Sequence, residues 1–330
     1  MGAPSGGFGE NDVIHVIEDL RPEGERVRDE ILVGLRERDK RISCKFLYDA
    51  RGAQLFERIC SLESYYLTRC ELAILHEHGD EIAREIGGGV LLVEYGSGRS
   101  EKTRVLLDRL EAPAAYQPID ISLESLRDSV RELGARYPGL ELLPVCADFT
   151  SKLTLPQPRT PAARRVVFIP GSTIGNFTEL EATRFLAQLA RQGARGDGLL
   201  IGVDLRKPRE RIERAYDEPE GLTAAFIGNV LSVVNRECGV DLDPERFSYR
   251  MRYDEERGRV EMGLVSLWAQ TVRIDGVELR FGRGEYVQVE NSQKYSLEGF
   301  RALAVQAGWS PSRTWYDPER LFSVHYLTVV

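Results

Sequence analysis

Hydrophobic residues change their spacing twice along this chain. In residues 27–38, Ile31, Leu32 and Leu35 recur at the spacing of one helix face, which predicts an amphipathic helix. From residue 90, short continuous apolar runs alternate with helical segments, a pattern typical of a parallel sheet that helices cover on both faces. These runs are VLLVE (90–94), YQPID (116–120), LLPVCAD (142–148), VVFIP (166–170) and LLIGVDL (199–205). The pattern therefore predicts an open α/β sheet.

Helical segments separate these runs. Two of them span residues 101–110 and 122–136. A third begins at Thr178, because Thr178-Glu179-Leu180-Glu181 has the sequence of a capping box.

Beyond Arg206 the pattern changes again, to helices followed by strands. The predicted elements are helices at 207–216 and 221–238, strands at 260–267 and 270–274, a helix at 297–307 and a strand at 321–329. Asp275-Gly276 is a two-residue hairpin signal. The predicted fold class is α/β, with a Rossmann-like sheet and a second, discontinuous α+β unit. We expect a flexible tail at 1–10, a sheet domain at 71–206 plus 297–330, and a second domain at 11–70 plus 207–296.

Charge and composition narrow the function classes. Lys and Arg number 44 against 52 Asp and Glu, for a formal charge of −8, which argues against nucleic acid as a partner. No apolar run approaches the roughly 20 residues that cross a bilayer, and the first residues lack the pattern of a signal peptide. We therefore expect a cytoplasmic protein, monomeric and without a membrane partner.

The cysteines and histidines argue against a metal centre. The five cysteines are widely spaced and form no C-x-x-C pair, so neither a disulfide framework nor a zinc ribbon is predicted. Of the four histidines, His76 and His78 lie close in sequence, but two ligands without a third do not make a site. We expect no metal.

The first run of the predicted sheet leads into a glycine turn. Gly96-Ser97-Gly98 follows the strand and Glu101 begins a helix, so a ligand can approach bare backbone at the helix N-terminus. Glu101 stands where the third glycine of G-x-G-x-x-G would lie, and two glycines also serve simple tight turns. The turn alone is weak evidence for a nucleotide.

Acidic residues at the ends of the next two runs strengthen that evidence. Asp120 lies 24 residues after Gly96, where a carboxylate accepts the ribose hydroxyls. Asp148 suits the amino group of adenine, and Phe149 beside it suits stacking on the ring. The missing glycine and the absence of a Walker sequence favour S-adenosylmethionine. A dehydrogenase remains the alternative, with Lys102 holding a phosphate.

Five separated motifs carry a family resemblance. In chain order they are KFLYDARGAQLFERICSLESYYLTR, EYGSGRSEKTR, FIPGSTIGNF, RAYDEPEGLTAAFIGNVLSVVNRE and VENSQKY. From about residue 40 to the C-terminus the chain closely resembles the histidine-specific Nα-methyltransferases, the enzymes of ergothioneine biosynthesis that convert L-histidine to hercynine. The resemblance implies trimethylation of the α-amino group of L-histidine with S-adenosylmethionine as methyl donor. It also makes the sheet domain a methyltransferase domain and the second domain an amino-acid substrate-binding domain.

The resemblance implies roles for individual residues in these motifs. The cofactor-binding residues are Gly96, Lys102, Asp120, Asp148 and Phe149. The residues that hold the α-amino and carboxylate groups of the substrate are Tyr65, Asn176 and Tyr216. The residues around the imidazole ring are Glu290, Ser292 and Met262. Tyr48 resembles a tyrosine near the amine, and we expect Asn176 and Tyr48 to act in catalysis. Two positions depart from the family pattern, with Leu67 where proline is common and Arg99 where the residue is usually small.

The spacing of Glu290 and Ser292 agrees with this assignment. In an extended strand, residues two apart project from the same face. A carboxylate accepts one ring N–H of histidine, and a hydroxyl serves the other nitrogen as donor or acceptor. From the pattern alone a solvated sheet face is the alternative.

Methyl transfer from a sulfonium explains how a chain with few histidines can be an enzyme. The in-line displacement needs a positioned neutral amine and no protein nucleophile. Tyrosine faces tolerate the quaternary ammonium product. Two alternatives stay open: an Nα-methyltransferase for another amino acid such as tryptophan, and a non-enzymatic sensor of an adenosine ligand.

Overall fold

The computed structural model describes residues 17–21, 24–98, 100–151 and 153–330. The predicted tail at 1–10 and Arg99 lie outside these residues. The helices are α1 (Gly24–Arg36), α2 (Ala50–Cys60), α3 (Tyr66–Ile86), α4 (Glu101–Leu107), α5 (Leu123–Arg136), α6 (Glu179–Gln192), α7 (Arg209–Tyr216), α8 (Leu222–Cys238) and α9 (Leu297–Gln306). Short 3₁₀ segments lie at Cys44–Leu47, Thr173–Asn176 and Pro244–Arg246.

The strands fall into a large sheet and two smaller ones. They are β1 (Glu18–Asp19), β2 (Val90–Tyr95), β3 (Ala115–Asp120), β4 (Glu141–Leu142), β5 (Val145–Cys146), β6 (Arg164–Ile169), β7 (Gly198–Asp204), β8 (Phe247–Asp254), β9 (Arg259–Ser266), β10 (Gln270–Ile274), β11 (Val277–Phe281), β12 (Tyr286–Gln293), β13 (Trp309–Tyr316) and β14 (Phe322–Val329).

The large sheet confirms the predicted α/β fold. Its strand order is β1-β5-β3-β2-β6-β7-β14-β13, with β4 beside β3. The strands from β1 to β7 are parallel, whereas β14 runs antiparallel to both β7 and β13. All side chains of β2, β3 and β7 are buried, because helices cover both faces of the sheet and every position of a strand then meets an apolar layer.

The second sheet is antiparallel, with the order β12-β9-β8. The β10-β11 hairpin turns at Asp275 and Gly276, whose φ angles of +48° and +78° are those of the predicted two-residue turn. A parallel bridge between Leu205 and Tyr295 joins the end of β7 to the residues after β12. This bridge holds the second sheet beside the carboxyl edge of the first.

The helices and strands agree with the predicted segments except at a few ends. The helix at 178 begins with the predicted capping box, whose two reciprocal hydrogen bonds both form. The run LLPVCAD is not one strand, because Pro144 has no N–H for the ladder and separates β4 from β5. No helix of the described residues is both long and apolar enough to cross a membrane.

The division into two domains remains a prediction, and two observations bear on its limits. The boundary at residue 70 falls inside α3, which runs unbroken from Tyr66 to Ile86. Glu18 and Asp19, assigned to the second unit, pair with β5 of the large sheet. A boundary before residue 66 would leave α3 whole.

Candidate active site

A cavity of about 1000 Å³ opens where the carboxyl ends of β2, β3 and β6 meet β9 and β12. The glycine turn after β2 and the Pro170–Asn176 loop after β6 line one part of it, and residues from α2, α8 and β12 line another. All twelve residues predicted from the sequence lie in its wall: Tyr48, Tyr65, Gly96, Lys102, Asp120, Asp148, Phe149, Asn176, Tyr216, Met262, Glu290 and Ser292. Their individual roles remain predictions.

Asp120 holds the glycine turn in place. One carboxylate oxygen accepts the N–H of Gly98 at 2.9 Å, and the other accepts the N–H of Ser122 at 2.9 Å. Gly96 and Gly98 have φ angles of +76° and +47°, which favour glycine and leave bare backbone facing the cavity. Burial raises the pKa of Asp120, and the hydrogen bonds from the backbone oppose that rise. A carboxylate has about four lone-pair sites, so Asp120 still has acceptor capacity for a ribose hydroxyl.

Asp148 is paired with a lysine that the sequence analysis missed. Its Oδ2 lies 2.8 Å from Lys45 Nζ, and its Oδ1 accepts from the N–H and the hydroxyl of Thr150 at 2.9 and 2.6 Å. Burial alone would raise the pKa of Asp148, but the hydrogen bonds from Lys45 and Thr150 outweigh it, so the pKa is lowered. Asp148 is therefore ionised at neutral pH. The Phe149 ring lies edge-on to Tyr95, with centroids 5.6 Å apart.

Lys102 is paired with a second missed residue, Glu71 of α3. Glu71 is fully buried, and its Oε2 lies 2.6 Å from Lys102 Nζ and accepts the N–H of Gly171 at 2.8 Å. One carboxylate oxygen thus ties the helix after the glycine turn to the loop after β6. The dehydrogenase alternative required Lys102 to balance a phosphate, and the Glu71 charge already balances it.

Five aromatic side chains form a continuous part of the cavity wall, which we call the aromatic wall: Tyr48, Phe56, Tyr65, Tyr216 and Phe226. Ring centroids lie 5.4 Å apart for Tyr48 and Phe226, 6.3 Å for Phe56 and Tyr65, and 5.9 Å for Tyr65 and Tyr216. Aromatic faces attract cations, and quaternary ammonium groups are bound in this way. The wall can therefore hold both a sulfonium and a methylated amine.

Glu290 and Ser292 lie on the buried face of β12, as their spacing predicts. A bulge between Gln288 and Glu290 shifts the register against β9, so that Val289 and Glu290 are both buried. Burial raises the pKa of Glu290 to about 8, while a hydrogen bond from Tyr48 and the charge of Lys294 lower it. The Tyr48 hydroxyl donates to Glu290 Oε1 at 3.5 Å.

A polar network lies behind Ser292 and Tyr216. We call it the lysine network, and its members are Tyr66, Asp204, Lys207 and Lys294. Lys294 Nζ contacts Asp204 Oδ2 at 2.6 Å, and Lys207 binds the other oxygen of Asp204. The Tyr66 hydroxyl donates to Asp204 Oδ2 at 2.8 Å. Two lysines thus share one buried carboxylate, and burial together with the Lys294 charge lowers the pKa of Lys207 to about 8 although the Asp204 charge opposes this shift.

Asn176 ends the 3₁₀ segment after β6 and is half-buried in the cavity wall. Ser172, at the start of this segment, has a φ of +57°. Its hydroxyl accepts the N–H of Asp204 at 3.0 Å. The loop that carries Asn176 is therefore fixed to the end of β7.

Comparison with known proteins agrees with this geometry. The family model "Histidine-specific methyltransferase, SAM-dependent" matches residues 27–329. The chain belongs to this family.

Three relatives in the family illustrate the similarity. Histidine N-alpha-methyltransferase of Mycolicibacterium smegmatis is 40% identical over 300 residues, which cover 89% of this chain and 92% of that protein. The Mycobacterium tuberculosis protein of the same name is 38% identical over 297 residues, covering 88% and 91%. Ergothioneine biosynthesis protein 1 of Neurospora crassa is 32% identical over 278 residues, covering 82% of this chain and 31% of that protein.

The sequence contains signals for some of the site residues that the sequence analysis did not identify. Lys294 is two residues after Ser292, so the periodicity that pairs Glu290 with Ser292 also places Lys294 on that face. Lys45 and Glu71 interrupt apolar stretches, in CKFL and ELAIL. Their partners lie far away in sequence, and no local pattern indicates them.

The structure also bears on metal binding. Among the described residues, no three His, Cys, Asp or Glu side chains come together as metal ligands would. All five cysteines are free thiols.

Proposed function

We propose that this protein transfers three methyl groups from S-adenosylmethionine to the α-amino group of L-histidine and so forms hercynine, a step of ergothioneine biosynthesis. The observation that carries the proposal is one cavity that contains both the acids of the sheet edge and the buried pair Glu290 and Ser292. The acids suit an adenosine, and the pair suits an imidazole. The names of its relatives support the same reaction.

The residues at the sheet edge fit the methyl donor. Asp120 keeps acceptor capacity for the ribose, and the bare backbone of the glycine turn leaves room for the ligand. Asp148 and Phe149 would meet the adenine, the acid at its amino group and the ring at its face. S-adenosylmethionine supplies an electrophilic methyl group on a cationic sulfur. The task of the protein is to aim the amine and to keep water away.

On the acceptor side, Asn176, Tyr65 and Tyr216 would hold the α-amino and carboxylate groups. The aromatic wall would stabilise the ammonium that forms at each transfer. The first two transfers leave a proton on the amine, and the Tyr48 hydroxyl, which lines the same cavity, would relay it to water. Burial, followed by the Glu290 charge, raises the pKa of Tyr48 well above its ordinary value. Tyr48 therefore acts as a neutral relay and not as a resident phenolate.

Separate roles for the two predicted domains, one in cofactor binding and one in substrate binding, are part of the proposal. The methyltransferase domain would supply Gly96, Lys102, Asp120 and Asp148, and the substrate-binding domain most of the aromatic wall with Glu290 and Ser292. A monomer as the functional unit remains our prediction. A cytoplasmic location also remains our prediction.

Mass spectrometry tests the proposal. The purified protein is incubated with S-adenosylmethionine and, separately, with L-histidine or L-tryptophan. We expect histidine to gain one, two and finally three methyl groups, and tryptophan to react far more slowly. Asn176→Ala serves as the control, with its fold checked by thermal melting. Preferential methylation of tryptophan would favour the other-substrate alternative, and cofactor binding without turnover of any amino acid would favour the sensor.

A further inference from the structure

Lys294 donates hydrogen bonds to the hydroxyls of Tyr216 and Ser292, which both line the cavity. Its Nζ lies 2.6 Å from Tyr216 Oη, 2.6 Å from Ser292 Oγ and 2.6 Å from Asp204 Oδ2. An ammonium has three N–H donors and no acceptor, so each N–H of Lys294 has one of these oxygens as its acceptor. Burial alone would lower the pKa of Lys294, but the Asp204 charge outweighs it and the pKa is raised. Lys294 therefore stays protonated.

These contacts determine which hydrogen bonds the Tyr216 and Ser292 hydroxyls can still make to a ligand. Tyr216 Oη and Ser292 Oγ lie 2.8 Å apart, so one of them donates to the other. Both oxygens already accept a hydrogen bond from Lys294. Whichever hydroxyl donates within the pair, the other one keeps its O–H free. The pair is left with this one O–H and with one lone pair, which lies on the hydroxyl that donates within the pair. When Tyr216 donates to Ser292, the Ser292 oxygen accepts from both Tyr216 and Lys294, so Ser292 has only its O–H left for a ligand.

We propose that Lys294 is a positioning residue that leaves Ser292 only a hydrogen-bond donor towards the ring, and that the site thereby selects the neutral imidazole. In this arrangement Tyr216 donates to Ser292 and keeps its remaining lone pair for the α-amino group. This inference rests on the proposed function. Glu290 accepts the single ring N–H, and the pair donates to the nitrogen that carries no hydrogen. An imidazolium, with two N–H donors, would face a donor at one end. A ring with carbon in place of that nitrogen would leave the free O–H without an acceptor, which is costly in a buried site.

The lysine network provides a matched control. Lys207 is almost as buried as Lys294 and binds the same carboxylate through its other oxygen. Its second contact is Tyr66, at 2.6 Å, and no hydrogen bond joins it to Ser292 or Tyr216. Lys207→Met and Lys294→Met each remove one charge beside Asp204. Lys294→Met alone also removes the donor to Ser292 and Tyr216.

The test compares the affinity for histidine with that for the two pyrrolylalanines, which keep one ring N–H and carry C–H in place of the other nitrogen. Dissociation constants are measured by calorimetry with S-adenosylhomocysteine present, so that no turnover is needed. We expect the wild-type protein to prefer histidine about tenfold or more, since the energy of one buried hydrogen bond corresponds to roughly that factor. In Lys294→Met the preference should fall below about threefold, and in Lys207→Met it should persist.

An unchanged preference in Lys294→Met, or the same loss in Lys207→Met, would overturn the inference. Should Lys294→Met not fold, nitrogen NMR of ring-labelled histidine bound to the wild-type protein still decides. We expect one protonated and one bare ring nitrogen, and a bound imidazolium would refute the proposal. Methylation of histidine by the wild-type protein is measured in parallel. Its absence would overturn the proposed function itself, whereas its presence with an unchanged preference would overturn only the role of Lys294.

Discussion

The fully buried Glu71 carboxylate on α3 contacts the partly exposed Lys102 ammonium on α4 at 2.6 Å, beside the cavity. The same oxygen accepts the N–H of Gly171. Glu71 Oε2 thus joins α3 to α4 and to the loop that leads to Asn176. A buried ion pair contributes little to net stability, but removing one partner leaves an uncompensated charge. We therefore expect removal of the Glu71 charge to lower the free energy of unfolding strongly.

Glu71→Gln keeps the shape of the side chain and removes its charge. We expect the free energy of unfolding to fall by roughly 3 kcal/mol, because Lys102 loses its counter-charge. Chemical denaturation monitored by circular dichroism measures this change. Glu77→Gln, on an exposed part of the same helix, is the control and should change stability by less than about 0.5 kcal/mol. Equal effects of the two changes would show that the Glu71 contact is unimportant.

Asp120→Ala should weaken the binding of S-adenosylmethionine by roughly 1 to 3 kcal/mol, through loss of charge-assisted hydrogen bonds to the ribose. The structure adds that the variant also frees the N–H groups of Gly98 and Ser122, so the glycine turn loses its anchor. Calorimetric titration gives the dissociation constant. An unchanged constant together with unchanged melting would remove Asp120 from the cofactor site.

Glu290→Ala should reduce the preference for histidine by about 2 to 3 kcal/mol in the specificity constant, because an imidazole N–H loses its buried acceptor. Tryptophan should suffer less, since truncation also opens space. Specificity constants for both amino acids are measured in the wild-type protein and the variant. Asn176→Ala, which should harm both substrates alike, is the comparison. If Glu290→Ala lowers both constants by one factor, Glu290 does not distinguish the rings.

Glu290 should also leave a signature in the pH dependence of stability. Burial raises its pKa from the ordinary 4.5 to about 8 in the folded protein, so between these values the folded state binds a proton that the unfolded state has lost. Stability from this group is therefore present below pH 4.5 and falls as pH rises towards 8, by about 1.4 kcal/mol per pH unit.

Glu290→Gln removes that titration and keeps the size of the side chain. We expect the free energy of unfolding of the ligand-free variant to fall less steeply than that of the wild-type protein between pH 6 and 8. Denaturation at several pH values measures both slopes. Glu94, which is buried and has a pKa of about 8, contributes equally to both proteins and cancels. Parallel curves would mean that Glu290 titrates near its ordinary pKa.

The sequence predicted the sheet well because its strands are buried on both faces and therefore apolar throughout, as in VLLVE at β2. The amphipathic β8 and the partly exposed β13 escaped notice, since their mixed patterns resemble loops. Strand β14 was expected, but its pairing with β7 was not, because strands more than a hundred residues apart leave no local signal of their pairing.

The candidate site likewise contains residues that a local pattern predicts and contacts that it does not. Glu290 and Ser292 follow from a period of two within one strand. The contacts of Lys45 with Asp148 and of Glu71 with Lys102 join residues 103 and 31 positions apart. Only the folded chain brings them together, and a lone charged residue in a sequence does not reveal its partner.

The antiparallel strand β14 has a consequence for synthesis of the chain on the ribosome. It covers β7 along seven residue pairs, yet residues 205–321 separate the two strands. At translation rates of about 5–20 residues per second, one edge of β7 stays unpaired for several seconds or more. Strand β12, which carries both Glu290 and Ser292, emerges within that interval, so the segment proposed to contact the substrate ring is synthesised before the large sheet can close. An unpaired edge of this kind is prone to aggregation, which makes the interval the vulnerable stage of biogenesis.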